Sequence, residues 1–245
     1  MGQKQSDNII WNQGADAQSL AENLAGELVG KIREAINSNG SAVIALSGGS
    51  TPKPLFRVLA QHDIEWSKVI ITLVDERWVP EEHELSNAAF MRENLFDLIP
   101  EEVQFVPLYQ QAQTVEASFQ LVLNEFCAVT ESTLDNLRAF DIVILGMGGD
   151  GHTASFFPDA DNVSDLISIE IDKPLLTCSS ASTQVERITW SLPVLLNTSF
   201  LALHFTGQEK LAVFEAAAAG GKTEELPIRC AIFQNQTPLH IYYAD

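Results

Sequence analysis

Apolar residues recur at helical spacing between Ala15 and Asn37 (Leu20, Leu24, Leu28, Ile32, Ile36) above a charged face, which predicts an opening helix stopped by Gly40. The next apolar run, SAVIAL at 41–46, is short and glycine-bounded, so it predicts a buried strand. Runs of the same kind occupy 69–74, 141–145, 175–178, 200–205 and 239–243. Helical patterns lie between them at 87–98, with Ser86 as its cap, at 114–137, at 207–221 and at 226–233, with a short helix around Leu192 and Leu196. Residues 105–109 form a short extended piece. Strands that are continuously apolar and alternate with helices predict a three-layer α/β fold, a mostly parallel sheet with helices on both faces.

The 245 residues read as one domain spanning 1–245, with the apolar content (46%) and charged content (19%) of a globular protein. Net charge is −19, which argues against nucleic acid or an anionic membrane as a partner. The same imbalance makes each Arg and Lys informative, because an anionic ligand must be gripped against a repulsive background. Cys127, Cys178 and Cys230 are widely spaced and form no CxxC pair, so neither a disulfide framework nor a zinc site is predicted. No leader pattern occupies the first twelve residues and no apolar run reaches membrane-spanning length, so a cytoplasmic location is expected. No repeat is present, and the pattern sets no oligomeric state; a monomer is compatible with it.

The chemistry concentrates where strands end. After the run Ile142–Leu145 come Gly146, Gly148, Gly149 and Gly151, a loop whose backbone N–H groups an anion or oxyanion can approach. Gly148, Gly149 and Gly151 are the candidate oxyanion donors. Asp150 and His152 sit in the same loop, at the strand end where open α/β sheets place ligands, and His152 is a proton carrier. After 41–46, Gly48, Gly49, Ser50 and Thr51 lead toward Pro52 and a helix. This predicts a phosphate or carboxylate site, with Ser50 or Thr51 as the helix cap. After 69–74 come Asp75, Glu76 and Arg77, either a self-contained surface ion pair or a cleft in which Arg77 grips an anion. Arg187 is an isolated basic residue. Lys210 falls in a helix's first turn, an unfavourable place for a cation without a ligand anion. His204, inside the run 200–205, reads as a satisfied core histidine.

Three motif matches are set aside. Gly146, Gly148 and Gly151 satisfy GxGxxG, but Pro158 cuts short the helix that a dinucleotide would require. Ser50 to Lys53 matches SxxK without its partner motifs and with Pro52 inside it. Gly221, Lys222 and Thr223 lack the first glycine of a phosphate-binding loop, since Ala216 stands there.

Taken together, SGGSTPKPLF (47–56), VDERWVP (74–80), SNAAFMRENLF (86–96), LGMGGDGHTASFFP (145–158), RITWSLPVLLN (187–197) and GQEK (207–210) carry a resemblance. The chain resembles the glucosamine-6-phosphate isomerase/6-phosphogluconolactonase family, on its 6-phosphogluconolactonase side. The resemblance implies the fold shared with glucosamine-6-phosphate deaminase, a modified Rossmann-like arrangement. It implies hydrolysis of 6-phospho-D-glucono-1,5-lactone in the pentose phosphate pathway without metal or cofactor. It also implies His152 as base, Asp150 and Asp75 as orienting or hydroxyl-contacting groups, and a phosphate surrounded by Arg77, Arg187, Lys210 and the Gly48–Thr51 loop. The deaminase pattern carries an acid before the proline, where this chain has Phe157, so the lactonase is expected over the deaminase. A sugar-phosphate-sensing domain is the third alternative, and it lacks a basic DNA-binding segment here.

Overall fold

The computed structural model describes residues 8–100 and 102–245; the leader reading for residues 1–7 lies outside them. In chain order the first half contains β1 (Ile9–Gln13), α1 (Ala17–Asn39), β2 (Ala42–Leu46), α2 (Lys53–Leu59), β3 (Val69–Leu73), β4 (Asp75–Arg77), α3 (Asn87–Asn94), β5 (Gln104–Val106) and α4 (Val115–Thr130). The second half contains β6 (Phe140–Leu145), α5 (Val163–Leu166), β7 (Leu175–Cys178), β8 (Arg187–Trp190), α6 (Leu192–Leu196), β9 (Thr198–Thr206), α7 (Gln208–Ala218), α8 (Arg229–Ile232) and β10 (Leu239–Ala244).

Seven strands form one sheet in the order β1-β10-β9-β6-β2-β3-β5, and every pairing in it is parallel. Every residue of β2, β3 and β6 is buried. Because successive side chains point to opposite faces, both faces of the central sheet are covered, as the continuous apolar runs require. Helix α1 presents Leu20, Leu24, Leu28 and Ile32 to this core. Its ends follow from capping: Asp16 accepts from the Ser19 amide at 2.7 Å, and Gly40 closes the helix at φ 83°.

The order of strands positions the site. From β2 the chain proceeds outward to β3 and β5, whereas β6 returns to the opposite flank of β2, pairing Ile44 with Ile142. Between β2 and β6 lies the topological switch point, and there the loops leaving the carboxyl ends of neighbouring strands diverge to form a crevice. Ser47 fastens the two loops, because its Oγ donates to Ile144 O (2.9 Å) and accepts from the Gly146 amide (3.1 Å).

Several expectations are corrected. Strand β1 is absent from the sequence reading, because its apolar run is only the three residues Ile9–Trp11, and as an edge strand it leaves Ile10 and Trp11 exposed. A second, three-stranded antiparallel sheet, β4-β8-β7, was also missed: β4 and β8 are short and carry charge. No helix follows the Gly146–Gly151 loop before Val163, so Pro158 lies within a run of turns and cuts short no helix. Helix α4 stops at Glu131, which adopts φ 52°, and the Ser, Thr, Asp and Asn residues beyond it favour turns over helix. Neither Ser50 nor Thr51 caps α2, whose first turn starts at Pro52 without a side-chain cap. Among the described residues no helix is long and apolar enough to cross a membrane.

Candidate active site

Loops after β2, β3, β6 and β9 enclose a cleft of about 250 Å³. It is lined by Gly48, Gly49, Ser50 and Thr51 from the first loop, Asp75 and Arg77 from β4, Gly148 and His152 from the glycine loop, Arg187 from β8, and Lys210 from α7. Residues separated by as much as the distance from Gly48 to Lys210 in sequence therefore converge because parallel strands put all their exit loops on one edge.

His152 is held by its neighbours. Its Nδ1 lies 2.6 Å from Asp150 Oδ1, and its amide donates to the same oxygen at 3.1 Å. Burial alone would raise the Asp150 carboxyl, but the hydrogen bond and charge of His152 outweigh it and hold Asp150 below the usual carboxylate range. A carboxylate at Nδ1 keeps the proton there, so Nε2 is left as a lone pair. Phe157 stacks on the imidazole with ring centroids 4.1 Å apart, and the Arg187 guanidinium carbon lies 4.8 Å from the Phe157 ring centre. Gly148 permits this packing: a Cβ there would stand 2.2 Å from the His152 ring.

The oxyanion candidates separate. The Gly148 amide donates to His152 O (2.9 Å) and the Gly151 amide to Gly148 O (3.1 Å), so both donors are engaged inside the loop. Gly151 instead adopts φ 78° and packs against Leu226. Gly149, Gly151 and Asp150 do not line the cleft, and Asp150 acts on it through His152.

The three charges at the end of β3 split by the alternation of β4. Asp75 and Arg77 face the cleft, whereas Glu76 turns away and is completely buried. Glu76 accepts from the amides of Asn87 (2.8 Å), Ala88 (2.7 Å) and Arg77 (2.7 Å), closing the start of α3. Burial pushes its carboxyl up to about 7 against those three amides. Removing the carboxylate in Glu76→Ala strands buried donors, so denaturant unfolding should report a loss of roughly 2–4 kcal/mol. A loss below about 0.5 kcal/mol, the range of an ordinary surface substitution, would contradict this role.

No surface pair of Asp75 or Glu76 with Arg77 forms. Asp75 accepts from Ser155 Oγ and pairs with Arg187 at 3.4 Å. Arg77 donates to Leu85 O (3.1 Å) and Asn87 Oδ1 (2.5 Å). Asn87 also sets the loop opposite, since a Cβ at Gly48 would fall 2.1 Å from its Oδ1. In the β4–β8 ladder Arg77 stands directly opposite Arg187. Like charges in this position repel, and Asp75 offsets only part of that. Burial holds the Arg187 guanidinium below its ordinary value; Asp75 opposes this shift and Arg77 adds to it. Lys210, also shifted down by burial, forms no ion pair among the described residues. In a chain of net charge −19, three cations thus line one cleft with a single carboxylate facing them, which is an anion site.

The family model for glucosamine-6-phosphate isomerases/6-phosphogluconolactonase matches residues 15–240, which contain every residue of this cleft. The chain belongs to this family. It is 38% identical over 235 residues to a 6-phosphogluconolactonase of Mesorhizobium japonicum, covering 96% of this chain and 94% of that one. It is 39% identical to a 6-phosphogluconolactonase of Rhizobium meliloti, covering 92% and 94%. The crystal structure of a 6-phosphogluconolactonase from Shewanella baltica superposes with a TM-score of 0.90 at 30% identity, covering 98% and 99%.

Two features of this 6-phosphogluconolactonase-family cleft escaped the sequence reading. Asn87 lies in a predicted helix and in the motif SNAAFMRENLF, but nothing in the sequence marks it as the partner of Arg77. His204 lines the cleft and is not a satisfied core histidine: its Nδ1 is buried without a partner. Burial, with a smaller push from Lys210, lowers its pKa from 6.5 to about 4. The folded state therefore binds fewer protons there than the unfolded state, and stability falls as pH drops from 6.5 through 4. Compared with His204→Leu, the wild type should lose about 3 kcal/mol of unfolding free energy across that window. Parallel pH curves for the two proteins would contradict it.

Proposed function

We propose that this protein acts as a single-domain, cytoplasmic hydrolase that opens 6-phospho-D-glucono-1,5-lactone to 6-phospho-D-gluconate in the oxidative pentose phosphate pathway. The observation that carries the reading is one cleft holding both a carboxylate-oriented histidine and three cations. Nε2 of His152 takes a proton from water as the water oxygen bonds to C1 of the lactone. The resulting oxyanion collapses, the C1–O5 bond breaks, and the proton passes to O5, which becomes the C5 hydroxyl. The carboxylic acid so formed ionises and acidifies the medium.

Asp150 keeps Nδ1 protonated and the ring aimed, while Phe157 fixes its plane by stacking. Arg77, Arg187 and Lys210, with the Gly48–Thr51 loop, receive the phosphate, and Asp75, which lines the same cleft, contacts substrate hydroxyls. The positive field of the cleft also lowers the energy of the C1 oxyanion, a contribution that gains weight because the Gly148 and Gly151 amides are already engaged. Phe157, not a carboxylate, covers the face of His152, which supports lactone opening over amino-sugar deamination. Incubation with 6-phosphogluconolactone should yield 6-phosphogluconate, and incubation with glucosamine 6-phosphate should release no ammonia. Ammonia release without lactone opening would replace this reading with the deaminase.

A further inference from the structure

His204 stands in the cleft with no part in the reaction described above. It lies near the carboxyl end of β9, and it lines the cleft with Lys210 and the Ser47–Pro52 loop although only 4% exposed. Nδ1 is sealed from solvent without a partner, and no hydrogen bond to either ring nitrogen forms among the described residues. The flanking Leu203 and Phe205, which point to the opposite face, are fully buried core. If His204 served only packing, an apolar side chain would fill its place without burying an unpaired Nδ1.

The arrangement fixes what the ring can offer. An unpartnered buried lone pair is tolerated better than an unpartnered buried N–H, so the hydrogen belongs on Nε2, with Nδ1 as the sealed lone pair. The Lys210 ammonium is close enough to press on the ring's charge, and with burial it keeps the imidazole neutral. A neutral N–H beside an ammonium that has no carboxylate partner is matched to an acceptor bearing negative charge.

We propose that His204 is a substrate-binding residue whose neutral imidazole donates a hydrogen bond from Nε2 to the phosphate end of the ligand, alongside Lys210. The inference rests on the lactonase reading for the identity of that ligand. It assigns His204 to binding and specificity and gives it no share in proton transfer.

The test separates binding from chemistry. His204→Leu should raise KM for 6-phosphogluconolactone by about 10- to 100-fold, the loss expected for a hydrogen bond to a charged group. Its kcat should stay within about two-fold and its KM for unphosphorylated gluconolactone should not move. His204→Gln, which presents a side-chain N–H, should recover most of the loss, a rescue that a packing role would not produce. An unchanged KM in His204→Leu, or an equal rise toward both lactones, would overturn the proposal. Should the wild type open no lactone, the reading of the reaction fails, and calorimetry with inorganic phosphate decides this inference separately. Weaker phosphate binding in His204→Leu, restored in His204→Gln, would support it; equal binding by all three proteins would overturn it.

Discussion

His152→Ala should lower kcat for lactone opening by roughly 10²- to 10⁴-fold, the range of a lost general base, with KM within a few-fold of wild type. The expectation follows from the division of labour in the cleft. His152 is tied to Asp150 and stacked on Phe157, and among the described residues it forms no hydrogen bond or ion pair with Arg77 or Lys210, so its removal leaves the cation cluster in place. Gly148 was shaped to accommodate the ring, and an alanine at 152 opens space without straining the loop. Steady-state acid release, corrected for spontaneous opening, reads both constants. A variant that keeps most of its turnover would remove His152 from the chemistry.

Lys210→Ala should raise KM for the phosphorylated lactone by about 10- to 100-fold, as expected for loss of a charge-assisted contact. Gluconolactone without phosphate should be opened as well by the variant as by the wild type. Lys210 suits this test because it forms no ion pair among the described residues, so its loss strands no buried partner. Arg187→Ala should show a KM rise of similar size, together with lower stability, because it leaves the buried Asp75 carboxylate without its 3.4 Å partner. Combining Lys210→Ala with Arg187→Ala should abolish saturation at accessible substrate concentrations. Equal losses toward both lactones in Lys210→Ala would contradict the phosphate role.

Much of this fold was legible because its core strands are continuous apolar runs. Helix α1 announced itself through Leu20, Leu24, Leu28 and Ile32 and its end through Gly40, whereas the Asp16 cap at its start emerged only from the structure. The β4-β8-β7 sheet was not legible, because Asp75 to Arg77 and Arg187 to Trp190 are stabilised by cross-strand and cleft contacts that short local patterns cannot encode. Site residues at strand ends, among them Gly48, Asp75, Arg77 and His152, stood out because glycine and charge next to an apolar run need a reason. The individual partners did not: that Glu76 closes α3, that Asn87 holds Arg77, and that Asp75 meets Ser155 depend on the tertiary arrangement. His204 was hidden most thoroughly. A histidine in an apolar run looks the same whether its buried nitrogen is paired or not, and only the surroundings reveal that Nδ1 has no partner.

The most direct measurement of the central claim is acid release from freshly generated 6-phosphogluconolactone, followed with buffer alone, wild-type protein and His152→Ala. The account predicts rapid acceleration by the wild type and a return close to the spontaneous rate in the variant. Acid release by the wild type no faster than in buffer would contradict the account.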